Sequence, residues 1–130
     1  MRRLLSLCFA NLLLAMCVSC ASSYDLAKGE RSPLGAGVAV RPIKPGLFAI
    51  NVQTNALPIA NHSGAAALWK ELASKACRGT SFEEAQIKSG EFALTGPAYM
   101  VATRYGYAVC WDADLDAADR AAFRRGEFSQ

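Results

Sequence analysis

Histidine is nearly absent from this chain: His62 stands alone among 130 residues. A zinc centre built on two or three imidazoles is therefore excluded. No G-x-S-x-G elbow, no glycine-rich phosphate loop and no dinucleotide fingerprint occurs, so the usual sequence signatures of those chemistries are missing. A dominant charge sign is lacking too. Fourteen Lys and Arg oppose eleven Asp and Glu, a net +3. No basic stripe interleaves with aromatics, so nucleic-acid binding is not indicated. There is no internal repeat. The longest apolar run, residues 4–18, covers about fifteen residues, short of the roughly 20 that span a bilayer core. An uncleaved membrane anchor is thereby disfavoured.

What the amino-terminal run has is an order. Arg2 and Arg3 give a positive start, the apolar run follows, and the small Ser19 precedes Cys20. That order is a secretory signal peptide over residues 1–19, removed from the mature protein. The Ser19-Cys20 junction resembles the lipobox of bacterial lipoproteins, with Cys17 where that family usually has Leu. The resemblance implies that Cys20 becomes the new N-terminus and carries a diacylglyceryl thioether plus an N-acyl chain such as palmitate. Two or more acyl chains hold a protein stably on a membrane, where one holds it only marginally. Ala21, a residue other than Asp after the lipidated Cys, implies sorting to the outer membrane. Ser19-Cys20-Ala21 also reads as a small-x-small site. Cleavage before Ser22 and a soluble secreted product are then the alternative.

The cysteines agree with an exported chain. Of five, Cys8 and Cys17 lie in the leader and Cys20 is taken by lipid, which leaves Cys77 and Cys110. In an oxidising compartment such a pair is expected to close as the disulfide Cys77–Cys110, with two buried free thiols as the alternative. Cys17 and Cys20 have C-x-x-C spacing, but in a leader this is no redox motif. Cleavage before Cys20 leaves 111 residues (130 minus 19), one domain at most. It also removes Arg2 and Arg3 and lowers the formal charge from +3 to +1. In a domain this small a disulfide is a useful staple.

Along the mature chain, residues 20–45 read as a tether. The stretch is rich in Ala, Ser, Gly and Pro, with Pro33, Gly35, Gly37, Pro42 and Pro45, and Pro-rich linkers tend to extend. The alternative is that residues 38–43 pair as an edge strand. A single α+β domain is expected over 46–126, with a tail at 127–130. Phe48, Ile50 and Val52 alternate with Ala49, Asn51 and Gln53, which predicts a strand over 47–54. Asn61, His62 and Ser63 offer caps to a helix over 64–78. Its stripe is Ala65, Leu68, Trp69, Leu72, Ala73 and Ala76, with Cys77 at the border. Residues 85–94 form a weaker predicted strand, interrupted at Ser89-Gly90. Residues 99–111 form a long one, with Tyr99, Val101, Thr103, Tyr105, Tyr107, Val109 and Trp111 on one face. Met100, Ala102, Arg104, Gly106, Ala108 and Cys110 line the other. The smaller face fits beneath the helix and would bring Cys110 to Cys77. Gly106 is expected to mark a bulge or bend. Residues 112–125 read as a short helix, acidic at its start and basic at its end.

Few residues invite chemistry. Asp112, Asp114 and Asp116 have the opening spacing of a calcium loop, but Ala117 and Phe123 stand where Gly and Glu are needed. An acidic helix cap is the simpler reading. His62 beside Ser63 reads as a cap-region pair, because adjacency in sequence gives no nucleophile–base geometry. Arg104 sits mid-strand and would pair with Glu71 or Glu91 or stay at the surface. Tyr99, Tyr105, Tyr107 and Trp111 make the best candidate binding surface, since aromatics with a polar tip favour recognition sites. Cover of that face by the C-terminal helix or the tether is the alternative.

Taken together, Ser19-Cys20, the alternation through Val52, the segment from Leu68 to Cys77 and the strand ending Val109-Cys110-Trp111 resemble small proteobacterial outer-membrane lipoproteins of uncharacterised function. The expected architecture is strand-helix-strand-strand: a small antiparallel sheet, one main helix packed on it and a short C-terminal helix. The expected role is a non-enzymatic envelope module on the periplasmic side of the outer membrane. It would be held by its lipid anchor, with an envelope protein as partner and no cofactor or metal. A module that binds a small periplasmic ligand on the aromatic face is the alternative.

Overall fold

The computed structural model describes residues 24–96 and 98–126. The expected signal peptide, the expected lipidation at Cys20 and the expected tail 127–130 lie outside the described residues. The elements are β1 (Gly37–Lys44), β2 (Leu47–Gln53), α1 (His62–Ala76), β3 (Phe82–Ala93), β4 (Met100–Cys110) and α2 (Ala117–Arg125). A one-turn 3-10 helix, Leu26–Lys28, precedes them. The strands form one antiparallel sheet in the order β1-β2-β4-β3. β4 lies between β2 and β3, and α1 is the connection that carries the chain from one flank to the other. The protein is thus α+β, with one main helix and a short C-terminal helix.

The sheet has one strand more than expected. Residues 37–44 are strand, not tether: Val38 pairs with Val52, Val40 with Ile50 and Pro42 with Phe48. The Pro and Gly content that suggests a linker is what an edge strand and its turn tolerate. Pro42 lacks a donor, and an outer strand has one side that needs none. Pro45 and Gly46 make the hairpin turn, with Gly46 at φ +77°, as a type II turn requires at its third position. The sheet and the turn that packs on it therefore include residues from Tyr24 on, about twenty residues before the expected boundary at 46.

α1 starts two residues earlier than expected. The Asn61 side chain accepts from the Gly64 N–H at 2.9 Å, the N-cap contact that satisfies one free donor of the first turn. Ala65, Trp69, Ala73 and Cys77 pack on Ile50, Val52, Ala102, Ala108 and Cys110. Trp69 is wholly buried, and its indole N–H donates to the Ile50 carbonyl at 3.2 Å, so its one polar atom is satisfied. The expected disulfide is present: Cys77, the residue that ends α1, is bonded to Cys110, the last residue of β4.

β3 is longer than expected, and Ser89-Gly90 do not interrupt it; they pair with Arg104 and Thr103. The irregularity is at Gln86 and Ile87, where the register slips between Ala85 and Lys88 and Gln86 takes φ +51°. Gly106 does mark a bulge, but one in the neighbouring strand, since it alone stands opposite Gln86 and Ile87. A Cβ there would meet Ile87 Cδ1 at 2.3 Å, so Gly106 is the space into which the β3 bulge packs Ile87. α2 is shorter than expected. Asp116 is its N-cap, accepting from Asp119 N–H at 2.7 Å, while Asp112 and Asp114 belong to the preceding loop. A second core layer lies beneath α2: Leu47, Ala49, Tyr107, Val109, Ala113, Leu115 and Phe123.

Candidate functional site

The strand period places Tyr105, Tyr107 and Val109 on the sheet face opposite α1. Tyr105 lies between Asn51 of β2 and Lys88 of β3, and Tyr107 between Ala49 and Ala85. α2 covers the Tyr107 half of this face. Tyr107 is 4% exposed and meets Phe123 edge-on, ring centroids 5.2 Å apart. Tyr105 is half-buried and donates its hydroxyl to that of Tyr107 at 2.8 Å. Its ring lies edge-on to its neighbour at 5.6 Å.

The four aromatics therefore do not form one surface. Tyr107 is core. Tyr99 and Trp111 are exposed, but they sit just before and just after β4. At strand rise they are roughly 40 Å apart. The alternation identifies the shared face correctly but cannot show that α2 occupies half of it, because the Tyr107–Phe123 contact is a meeting of elements distant in sequence.

What remains open on this face is a groove of about 340 Å³ beside Tyr105, walled by Leu26, Ala27, Ala39, Arg41, Ala49 and Asn51. Ala39 and Arg41 come from β1, so the groove exists only because residues 37–44 are a strand. Its signal in the sequence is the alternation of small Ala39 with Val38 and Val40, ahead of the expected first strand. Small residues on adjacent strands, Ala39 and Ala49, leave the floor low, and Tyr105 and Leu26 stand as rims.

The other candidates settle into structural roles. His62 pairs with Glu91 at 2.9 Å, both about half exposed. Ser63 Oγ donates to the capping Asn61 side chain at 3.2 Å and not to His62, so no nucleophile–base contact forms. Arg104 pairs with neither Glu71 nor Glu91. Its guanidinium donates to Glu84 at 2.9 Å and lies over the Trp69 ring at 5.8 Å. Glu71 instead pairs with Lys75 one turn on, at 2.6 Å. The reason is the register: Glu84 and Arg104 project from the α1 face of neighbouring strands.

A cavity of about 390 Å³ lies between β3 and α2. Its Arg120 donates to the carbonyls of Leu115 and Ala113 at 3.3 and 3.0 Å, which ties the loop before α2 in place. Asp112 and Asp114 line a shallow pocket beside the disulfide. Among the described residues no three His, Cys, Asp or Glu side chains converge as metal ligands, and no helix is long and apolar enough to cross a membrane. No family model matches this chain, and neither a curated protein nor a solved structure is detectably similar to it.

Proposed function

We propose that this protein is a non-enzymatic lipoprotein of the bacterial envelope, anchored in the outer membrane through lipid on Cys20 and serving there as an accessory or interaction module. The observation that carries the reading is the order at the N-terminus: Arg2 and Arg3, an apolar run, then Ser19-Cys20. The Cys77–Cys110 disulfide supports it, because such bonds persist in oxidising compartments. The side chains that invited catalysis, His62, Ser63 and the Asp112–Asp116 run, are held in ion-pair, cap and loop positions.

Intact mass of the protein from the membrane fraction of its host tests this. The expected chain begins at Cys20 and carries acyl mass, and the Cys20→Ser variant lacks that mass. A chain beginning at Ser22 would replace the anchored protein with a secreted one.

A second reading, capture of a small envelope ligand, is favoured by the groove beside Tyr105. Tyr105→Ser alone is its test, since Tyr107→Ser would open the core beneath α2. Ligand capture that survives Tyr105→Ser with the fold intact would remove the groove from consideration.

A further inference from the structure

Among the described residues, four of the six large exposed apolar side chains lie at one end of the sheet: Ile59 is 83% exposed, Leu34 52%, Tyr99 49% and Leu57 44%. Backbone hydrogen bonds hold their segments together. Ala56 N–H donates to the Leu34 carbonyl at 2.8 Å, and Leu57 and Met100 exchange bonds of 3.1 and 2.7 Å. Ile59 follows two residues after Leu57, just before the cap of α1. Singly exposed apolar residues are ordinary; several large ones at one end mark a surface that meets something. At this end β1 and β4 start and β2 finishes. Trp111 lies at the opposite end of β4.

The first described residues lie beside the sheet at that same end. Asp25 bridges Val38 in parallel register, and the Tyr24 carbonyl accepts from Val38 N–H at 2.9 Å. Tyr24 and Asp25 therefore run alongside β1 in its own direction, entering from the end where β1 starts. Cys20 stands four residues before Tyr24, and four residues span at most about 14 Å. The eleven residues of β4 alone measure roughly 36 Å. A lipid on Cys20 can hold the Leu57–Tyr99 end at the bilayer while the Trp111 end stays away from it.

We propose that Leu34, Leu57, Ile59 and Tyr99 form a membrane-docking surface that seats this end of the domain in the interfacial layer of the bilayer holding the anchor. The proposal rests on the lipidated reading of Cys20. Aliphatic side chains such as Ile59 and Leu57 gain from burial at the headgroup–acyl boundary. A tyrosine suits that depth, with its ring in the apolar layer and its hydroxyl at the headgroups. The short reach from Cys20 supplies the high local concentration that a patch of four side chains would not achieve unaided.

Fluorescence quenching by brominated lipid separates docking from anchoring. Full chain with its lipid, purified from host membranes, is reconstituted into phosphatidylethanolamine–phosphatidylglycerol vesicles with brominated acyl chains. Flotation with the vesicles reports the anchor. Ile59→Trp in a Trp111→Phe background reports the docking end, and the parent with Trp111 reports the far end; buried Trp69 is common to both. The indole introduced at position 59 is expected to lose about half its emission to brominated lipid, and Trp111 almost none. A floated chain whose Ile59→Trp indole is quenched no more than Trp111 overturns docking and leaves the anchor standing. A blue-shifted but unquenched indole also overturns it, because a second copy then covers the patch. A chain that does not float removes the anchor, and docking with it.

Discussion

At the residue scale, two positions carry contacts that the chain's composition hides. Arg104 stacks over Trp69 and reaches Glu84 in a setting where the two charged side chains are only 18% and 29% exposed. A charge-assisted bond there is worth more than a surface pair. A double-mutant cycle of Arg104→Ala and Glu84→Ala in urea should give a coupling of about 1 kcal/mol. A coupling near zero would leave packing on Trp69 as the only reason for the placement. Gly46 combines φ +77° with a blocked Cβ position, 2.6 Å from Ala113 Cα, whereas Gly79 has the same φ and open space. Both Ala substitutions bear the left-handed backbone cost of about 1 kcal/mol. Gly46→Ala should cost at least about 1 kcal/mol more, because backbone must move. Equal urea midpoints for the two variants would show that the 45–46 turn yields freely.

At the element scale, helices and strands were legible where one face was buried and one was not. α1 has its stripe and its Asn61 cap in plain sight, and Asn61→Ala should cost about 1 kcal/mol in a thermal or urea melt. β1 was legible only as the alternative to a tether, because an edge strand needs only one paired side, so its sequence tolerates Pro42 and reads like a linker. The β3 bulge was hidden for another reason. Nothing local distinguishes Gln86-Ile87, and only Gly106 on the neighbouring strand makes room for Ile87. α2 is held chiefly by Phe123, which is buried against Tyr107 and the β3 side of the sheet. Phe123→Ala should lower stability by about 3 kcal/mol. Amide exchange should rise over residues 117–125 first, while the α1 face stays protected. Uniform loss of protection would show instead that both core layers unfold as one unit.

At the scale of the whole molecule, a four-stranded sheet separates two core layers, and one covalent bond ties the end of α1 to the end of the central strand β4. The closed loop spans a sequence separation of 33, for which chain entropy gives about 3–4 kcal/mol. Reduction of the pure protein, or Cys77→Ala with Cys110→Ala, should lower its melting temperature by on the order of 10 °C or more. A melt unchanged by reductant would mean that packing of Trp69 and its neighbours alone fixes α1 on the sheet.

The sequence by itself determined the α+β class, the main helix, the inner strand period and the pairing of Cys77 with Cys110. The first three follow from local periodicity, and the pairing follows from the two cysteines that remain once Cys8, Cys17 and Cys20 are set aside. It also contains the lipobox-like junction on which the proposed anchor rests. Only the tertiary structure decided that residues 37–44 join the sheet, that α2 buries Tyr107 but leaves Tyr105 beside a groove, and that Arg104 chooses Glu84. It alone gathered Leu34, Leu57, Ile59 and Tyr99 at the end of the sheet where β1 starts and beside which Tyr24 and Asp25 lie. Those outcomes depend on which elements meet, and contacts between segments distant along the chain leave no period in the sequence to read.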